Sequence, residues 1–385
     1  MDMSELTVET LTSADAFDSL APAWRELEAR AHLTLPFQTF AWNHAWWRHF
    51  AARHAWVRDE LRLITVRDAS GQLVAVAPMM LTRRPGVGPL SVRHLGFFGA
   101  DPNITEVRGP LIDPAHEAEV TTAIGEHMAG LSRRHDRITW CGVRPGSPAD
   151  ERLTAVGARV TREIPCFLLP LPATWEELRS SRPRNLKESL RKCYNSLKRD
   201  NHVFTVDVAR SVDEVRAAMP RFLELHQSRS LRDDTIRHRD VFAAPSSQAF
   251  LAEVVERFAA QDQARVFQLR IDGKVVAARI GFVLADTLYL YYSGYDPEWA
   301  PYSVMTTTVA EAIKLAIDWK LRWVNLSTGS DVSKTRWAPQ EVVYREATLV
   351  SSTLRGKLAA AAHEAVTGNE RWRGVARRLL GRRAA

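Results

Sequence analysis

The sequence is poor in cysteine and lacks the long apolar runs of membrane-spanning proteins. Its 385 residues include 3 cysteines, Cys141, Cys166 and Cys193, which lie far apart. Single, widely spaced cysteines exclude a disulfide framework and favour a reducing compartment. The most apolar stretches, such as Val275–Ala285, are short and interrupted by charge, so they predict no membrane span. The first ten residues contain no basic segment followed by an apolar one. We therefore expect no signal peptide and a cytoplasmic location.

Several signatures of common enzyme classes are also missing. The sequence contains no glycine-rich phosphate loop of the Walker or Rossmann type. Its 12 histidines show neither an HExxH spacing nor a pairing with cysteines, and we expect no metal site. Ser293–Gly294 is not part of a Gly-x-Ser-x-Gly elbow, which argues against a serine hydrolase.

The formal net charge of +7 is concentrated in two segments. Residues 179–199 hold 8 basic side chains against one acid, Glu188, and the chain from Leu354 onward holds 8 more against Glu364 and Glu370. Because the positive charge is regional, it does not indicate a surface for duplex nucleic acid, and we expect no nucleic-acid partner.

The basic tail has a pattern of its own. Within Arg371–Arg383, the apolar residues Trp372, Leu379 and Leu380 are interspersed among arginines. Such a pattern predicts an amphipathic helix that contacts the inner membrane face weakly and in a salt-sensitive way. A helix packed on its own domain is the alternative.

Hydrophobic periodicity predicts an α/β protein in which one order of elements occurs twice: strand, two helices, three strands, helix, strand. The predicted elements of the first unit are Leu6–Leu11, Ala14–Ala29, Phe37–Phe50, Leu61–Arg67, Leu73–Thr82, Val92–Phe98, Ala115–Arg133 and Arg137–Val143, with a closing strand at Cys166–Leu169. Those of the second are Val203–Val208, Val212–Arg229, Ser246–Ala260, Arg265–Ile271, Lys274–Leu284, Thr287–Tyr295, Ser303–Trp319 and Arg322–Leu326, followed by Val342–Val350. We expect domains at residues 1–172 and 202–352, a basic inter-domain helix at 173–201 and a basic helical tail at 353–385.

One junction in the second unit suits a phosphate. The strand Thr287–Tyr295 leads into a helix that begins near Ser303, and a helix start presents unpaired N–H groups and partial positive charge. A pyrophosphate fits there, with the hydroxyls of Ser303, Thr306 and Thr307 beside it. The alternative is that Ser303 only caps the helix.

Five segments together resemble the BioF2-like, or CelD-like, branch of the GNAT acyltransferases. These segments are YLYYSGYDPEWAPYSVM (289–305), VNLSTGSDVSKTRW (324–337), PFQTFAWNHAWWRHF (36–50), SRPRNLKESLRKCYNSLKR (181–199) and FLELHQSRS (222–230). The resemblance covers nearly the whole chain. It implies two tandem GNAT-like acyl-CoA N-acyltransferase domains, each a mixed twisted sheet flanked by helices. The first of them is expected to lack cofactor. The branch usually has a glycine at the helix start, where this chain has Ser303.

The resemblance also implies a cofactor and site residues. Acetyl-CoA or another acyl-CoA is the expected co-substrate, with no metal. The residues implied to bind it are Tyr295, Tyr302, Ser303, Val304, Met305, Thr306 and Thr307. Lys334 is expected to stabilise the oxyanion or an acidic group, and Asp331 to orient or deprotonate the acceptor. A surface ion pair between the two is the alternative. His226 is expected to be a base or an acceptor ligand, or else a partly buried helix-end cation.

The acceptor and the competing functions follow by analogy. We expect N- or O-acylation by direct transfer to a small-molecule or a glycan- or lipid-linked acceptor, in exopolysaccharide or cell-envelope metabolism. A FemABX-like transferase that uses aminoacyl-tRNA is the rival enzyme, and the basic helix 182–199 would suit its tRNA. The coiled-coil arm usual in such proteins has no counterpart between Val203 and Val350. A non-catalytic scaffold that binds an anionic partner is the third possibility.

Overall fold

The computed structural model describes residues 6–53, 57–85, 91–101, 103–131, 135–231, 238–359 and 361. The strands are β1 (Thr7–Leu11), β2 (Arg58–Arg67), β3 (Leu73–Pro85), β4 (Ser91–Phe97), β5 (Leu111–Ile112), β6 (Arg137–Val143), β7 (Arg159–Pro170), β8 (Phe204–Ala209), β9 (Ala264–Ile271), β10 (Lys274–Leu284), β11 (Thr287–Tyr295), β12 (Trp323–Thr328) and β13 (Gln340–Val350). The helices are α1 (Ala14–Ser19), α2 (Ala21–Arg30), α3 (Phe40–Phe50), α4 (Glu117–Leu131), α5 (Pro148–Ala155), α6 (Trp175–Ser181), α7 (Arg184–Arg199), α8 (Val212–Ser230), α9 (Pro245–Ala259), α10 (Val304–Asp318) and α11 (Val332–Thr335). Short 3-10 turns lie at Pro36–Gln38, Pro114–His116 and Pro297–Tyr302.

The chain forms two compact units, and the first of them is discontinuous. The first comprises the described parts of Met1–Leu33, Phe37–Ile164 and Val343–Ala385, and the second comprises Thr34–Pro36 and Pro165–Val342. These bounds differ from the predicted ranges, which ended the first domain at 172 and gave residues up to 352 to the second. The last strand accounts for part of the difference, because Arg345 lies opposite Val143 of β6 and Val350 opposite Arg137.

The sheet of the first unit begins with four antiparallel neighbours, β1 to β4. Strand β6 then pairs with β4 in parallel, with Leu95 opposite Ile138, and β13 pairs antiparallel with β6. Helix α4 packs on this sheet through Val120, Ile124 and Met128, at the spacing of one helix face.

The sheet of the second unit repeats this arrangement. Strands β8, β9, β10 and β11 are antiparallel neighbours, and β12 follows β11 in parallel. Residues from Cys166 to Pro170 of β7 complete it, with Leu169 opposite Val324. The hairpin between β9 and β10 turns at Asp272–Gly273, as the sequence predicts. The mixed sheets and their flanking helices confirm the predicted fold class.

Helix α7 is the predicted basic helix, and it belongs to the second unit. Leu186, Leu190, Cys193 and Leu197 form its buried face. All six of its basic residues are exposed: Arg184, Lys187, Arg191, Lys192, Lys198 and Arg199. Core burial of the leucines therefore leaves a positively charged surface along the helix.

The structure departs from the predicted elements in two instructive places. The predicted helix Ala14–Ala29 is divided at Leu20, because Pro22 lies in the first turn of α2 and cannot continue a helix from α1. Strand β7 begins at Arg159 rather than Cys166. Its first five residues are exposed, so the sequence carries no alternating apolar signal there.

Among the described residues, no helix is both long and apolar enough to cross a membrane. The three cysteines are buried and unbridged. The predicted amphipathic tail, Arg371–Arg383, lies outside the described residues.

Candidate active site

The carboxyl ends of β11 and β12 form the first part of the candidate site. These parallel strands are paired between Thr287–Tyr289 and Trp323–Asn325. Past that region the two strands have no described register with each other. Strand β11 continues to Tyr295 opposite Ala277 of β10, and β12 continues to Thr328 opposite Cys166 of β7. In α/β sheets, ligands bind in the crevice beyond the carboxyl ends of such strands. A substrate is therefore expected at the ends of β11 and β12.

Helix α8 lies directly against β11 at Gly294. A Cβ atom on this residue would be 2.2 Å from the backbone nitrogen of His226 and 2.3 Å from the carbonyl carbon of Leu225. Only a residue without a side chain permits this approach. The contact places the C-terminal part of α8 beside the end of β11.

His226 is held between α8 and β11 and is enclosed by aromatic rings. Its ring centroid lies 5.9 Å from that of Phe222, 5.1 Å from Phe242 and 5.5 Å from Tyr292. The residue is 4% exposed. Enclosure of this kind favours a positioning role for His226 over direct proton transfer to a substrate.

The hydrogen bonds of His226 define its tautomer. Nδ1 donates to the carbonyl oxygen of Ser293 at 3.1 Å, and Nε2 lies 3.7 Å from Oδ1 of Asp240. Burial lowers the pKa of His226, although Ser293 and Asp240 act in the opposite direction. Near pH 7 the ring is therefore neutral, with its lone pair on Nε2.

Arg229 follows His226 by three residues and faces the same end of β11. Its Nη1 donates to Oγ of Ser293 at 2.8 Å, and its Nη2 lies 2.6 Å from Nε2 of His238. Burial, reinforced by the charge of Arg229, lowers the pKa of His238 to about 4. His238 is consequently neutral near pH 7, and its Nε2 accepts the hydrogen bond from Arg229.

Asp331 and Lys334 lie at α11, just beyond the end of β12. Asp331 caps the helix, because its carboxylate accepts hydrogen bonds from the backbone N–H of Ser333, at 2.8 Å, and from the Ser333 hydroxyl. The ammonium of Lys334 donates to the carbonyl oxygen of Thr328 and lies 3.9 Å from Oδ2 of Asp331. Its side chain is 15% exposed. Lys334 thus holds the last residue of β12 and carries a positive charge into the crevice.

The groups on α8 and α11 act on one another electrostatically. Burial is the main cause of the lowered pKa of Arg229, and Tyr295 and Asp331 oppose it. Beyond burial and Arg229, Lys334 also lowers the pKa of His238, whereas Asp331 raises it. We call this group the α8–α11 cluster; its members are His226, Arg229, His238, Asp240, Ser293, Tyr295, Asp331 and Lys334.

The start of α10 is the second part of the site. Ser303 adopts a left-handed conformation, with φ 54° and ψ 40°, and its side chain makes no capping hydrogen bond. The N–H groups of Thr306 and Thr307 bond to the carbonyl oxygen of Ser303, at 2.8 and 3.3 Å. The N–H groups of Val304 and Met305 have no backbone acceptor within the described residues. Two donors are therefore available where the sequence predicts a pyrophosphate.

The side chains of this helix start differ in their availability. Val304 and Thr307 are buried at 1% and 0% exposure, so they face the core rather than a ligand. The hydroxyl of Thr306 accepts a hydrogen bond from Nη2 of Arg336 at 2.7 Å. Nη1 of Arg336 lies 3.4 Å from Oγ of Ser189, and Nε is buried without a hydrogen-bond partner in the described part of the chain. Arg336 therefore brings a positive charge to the start of α10.

The two predicted tyrosines pack against the same hydrophobic cluster, which includes Val304, and differ in their polar neighbours. Tyr295 ends β11 and belongs to the α8–α11 cluster. Tyr302 donates to Oδ2 of Asp200 at 3.0 Å, and its hydroxyl lies 3.2 Å from Nε2 of His202. His202 also lines a cavity of about 300 Å³ beside the C-terminal end of α7. Tyr302 is thus hydrogen-bonded to two residues that directly follow α7, beside this cavity.

The corresponding turn of the first unit is closed by its own side chains. The carboxylate of Asp101 accepts hydrogen bonds from the N–H groups of Ile104 and Thr105, the Thr105 hydroxyl and Nε1 of Trp46, at 2.7 to 3.2 Å. These donors are satisfied internally and are not available to a phosphate.

Five members of the site were not predicted from the sequence: Arg229, His238, Asp240, Ser293 and Arg336. Arg229 shares a helix face with His226 by its spacing of three residues, so that signal was present in the sequence. His238 lies in an irregular segment with no periodicity to mark it. Arg336 lies next to the predicted Lys334 and Trp337, within the same motif.

The left-handed conformation of Ser303 leads to a prediction about stability. Replacing Ser303 with glycine should raise the free energy of unfolding by about 1 kcal/mol, because a side chain is unfavourable at this φ and ψ. Urea unfolding monitors the change, with Ser303→Ala as the control that removes the hydroxyl but keeps the Cβ atom. A glycine variant no more stable than the alanine variant would show that Ser303 is not strained.

Most of the second unit is similar to a known protein family. Residues 184–335 match the family model of the acetyltransferase (GNAT) domain. The match begins with α7 and ends with α11, so it includes the α8–α11 cluster and the start of α10. No curated protein matches the sequence.

Solved structures share the fold at low sequence identity. FemX superposes with a TM-score of 0.59 at 13% identity, over 92% of this chain and 99% of that chain. The C-terminal domain of a putative lysylphosphatidylglycerol synthetase from Agrobacterium fabrum gives a TM-score of 0.52 at 13% identity, over 91% of this chain and 96% of its own. A tandem GNAT protein from the clavulanic acid biosynthesis pathway gives a TM-score of 0.45 at 14% identity, over 91% of this chain and 99% of its own.

Proposed function

We propose that this protein is an acyltransferase of the BioF2-like branch that transfers an acyl group from acyl-CoA directly to an amine or hydroxyl. The observation that carries the proposal lies in the segment 331–336. It places Asp331 and Lys334 in the α8–α11 cluster and Arg336 against Thr306 at the start of α10. These six residues therefore connect the charged side chains of the cluster to the start of α10, where the proposed phosphates would bind.

The residues present suit the phosphates of a coenzyme A thioester. The N–H groups of Val304 and Met305 and the Nε of Arg336 are donors without hydrogen-bond partners in the described part of the chain. A pyrophosphate would bind to these donors, aided by the helix dipole. The co-substrate supplies an activated acyl group, and the protein supplies orientation and charge.

The α8–α11 cluster suits direct transfer. The acceptor nitrogen or oxygen would attack the thioester carbonyl carbon, forming the new bond as the C–S bond breaks, and its proton would pass to a base. Asp331 can accept that proton directly or through water, and Lys334 can stabilise the negative charge that develops on the carbonyl oxygen. His226 and Asp240 would position the end of β11, and the leaving thiolate would take a proton from solvent.

Isothermal titration with acetyl-CoA tests the proposal. The wild-type protein should bind acetyl-CoA, and Met305→Pro should weaken binding at least about tenfold, because proline removes one of the two available donors. Asp213→Pro is the matched control, since it alters the same position of helix α8. Equal weakening by both variants, or no binding to the wild-type protein, would contradict the proposed cofactor site.

A second candidate is transfer from aminoacyl-tRNA. It is supported by the exposed basic face of α7, which offers contacts to phosphates. Acceptor acylation by acetyl-CoA in the absence of RNA would contradict this candidate. For either reaction we propose a small-molecule or a glycan- or lipid-linked acceptor, and membrane attachment through the tail remains a prediction from the sequence.

A further inference from the structure

The guanidinium of Arg229 is held only by neutral partners. Its two hydrogen bonds go to the hydroxyl of Ser293 and to Nε2 of the neutral His238. Three of its five N–H bonds therefore have no acceptor in the described part of the chain. Arg229 is partly buried, and withdrawing a cation from water without an anionic partner is unfavourable, so such a group is poised to bind an anion.

The carboxylates around Arg229 are engaged elsewhere. Asp240 accepts a hydrogen bond from the backbone N–H of Phe242 at 3.0 Å, and Asp331 caps α11 and lies 3.9 Å from the ammonium of Lys334. Asp331 influences Arg229 through its charge, but no ion pair joins Arg229 to a carboxylate of the described residues. The missing counter-charge is thus not supplied by the described neighbours of Arg229.

The position of Arg229 relates this charge to the proposed reaction. Ser293, which orients the guanidinium, lies on β11 two residues before the strand ends at Tyr295. Lys334 holds the end of β12, the strand that runs parallel to β11. Arg229 therefore lies at the edge of the crevice where an acceptor would approach the thioester.

We propose that Arg229 binds a carboxylate of the acceptor substrate, so that the acceptor is an amine or alcohol that also carries a carboxylic acid. The inference rests on the proposed acyl transfer and deepens it by naming the substrate class. Two parallel N–H donors of a guanidinium match the two oxygens of a carboxylate.

The charge of the cluster favours a carboxylate over a phosphate. With both imidazoles neutral, the cations Arg229 and Lys334 balance the anions Asp240 and Asp331. A carboxylate adds one negative charge to this balanced group, whereas a phosphate adds nearly two, so the carboxylate is the less unfavourable ligand for Arg229.

The experiment compares matched acceptors in the presence of acetyl-CoA. The probes are the proteinogenic amino acids against their carboxamides, and muramic acid against glucosamine, with glucosamine 6-phosphate as the phosphate arm. The wild-type enzyme should prefer a carboxylate to its neutral partner by about 100-fold in kcat/KM, the value of a desolvated charge-assisted pair. Arg229→Met should abolish that preference, because it lowers kcat/KM for the carboxylate acceptor far more than for its neutral partner.

Two further variants distinguish carboxylate binding by Arg229 from a purely structural role of this residue. Arg229→Lys should restore part of the carboxylate preference, because it keeps the charge but loses the paired donors. Arg216→Met, on the same helix with a side chain 58% exposed, should leave the preference unchanged. Equal loss of activity toward charged and neutral acceptors in Arg229→Met would show a structural role and overturn the inference, as would a preference for the phosphate.

Direct titration distinguishes this inference from the proposed function. Each carboxylate probe is titrated into the protein without acetyl-CoA, and at least one should bind the wild-type chain and bind Arg229→Met about 100-fold more weakly. Carboxylate binding without acetyl-CoA binding would contradict the proposed function alone. Acetyl-CoA binding with no carboxylate bound would overturn the inference alone.

Discussion

Replacing Gly294 with alanine is expected to destabilise the protein by about 3 kcal/mol, the upper end of what overpacking usually does. The added Cβ atom would lie 2.2 Å from the backbone nitrogen of His226. That nitrogen belongs to the backbone and cannot turn aside, so α8 would have to move away from β11 as a whole. That movement would also displace Arg229 and lower turnover. Urea unfolding at constant m-value measures the change in stability.

Gly130→Ala is the matched control for this substitution. Gly130 lies in α4, and a Cβ atom there would meet nothing within 4 Å. Alanine should stabilise that helix by about 0.5–1 kcal/mol. If Gly294→Ala proved as stable as wild type, α8 and β11 would not be in the close contact described.

Replacing Lys334 with alanine is expected to lower kcat by about 100-fold, the usual effect of removing one charge-stabilising donor. The ammonium is only partly exposed and bonds to the carbonyl oxygen of Thr328 at the end of β12. Its loss removes positive charge from the crevice and leaves that carbonyl without this donor. Steady-state kinetics with acetyl-CoA and any accepted acceptor measure the effect, and Lys334→Arg should retain part of the activity.

A control variant at a second lysine distinguishes a loss of catalysis from a loss of stability. Lys314 is also partly buried, with its ammonium 2.7 Å from Glu311 and over the rings of Trp175 and Tyr194. Lys314→Ala should reduce stability through lost packing but leave kcat within about threefold of wild type. If the two alanine variants lost stability equally and kcat equally, Lys334 would be a structural residue.

The regular elements could be predicted from the sequence because their signals are local. The aromatic-rich run Thr287–Tyr295 and the turn at Asp272–Gly273 each occupy a few residues, and both occur as predicted. The pairing partner of β13 carries no local signal, because β6 lies some 200 residues earlier in the chain. Strand order depends on the packing of both faces of a sheet, which one strand's pattern does not encode.

Some residues of the candidate site are likewise indicated by a local motif, whereas others are brought together only by the fold. Asp331 and Lys334 could be proposed because they stand in a short motif, and their charged groups lie 3.9 Å apart, as the alternative of an ion pair also requires. Their relation to Arg229 and His238 depends on the adjacency of β11 and β12 and on the contact at Gly294. The burial of Thr307 likewise follows from the rotation of α10 about its axis, which a hydroxyl at a helix start does not reveal.

The discontinuity of the first unit has a consequence for synthesis on the ribosome. Chains emerge from the amino terminus and domains fold as units, which normally lets the earlier domain fold first. Here β6 acquires its neighbour β13 only after Val343–Val350 has been made, and Arg108 acquires its partner Glu346 at the same moment, at 2.6 Å. The second unit is complete before that point, since its residues end at Val342. The later half of this protein is therefore able to finish folding first, and the nascent first half must keep the edge of β6 and the buried charge of Arg108 unpaired until the final strand leaves the exit tunnel.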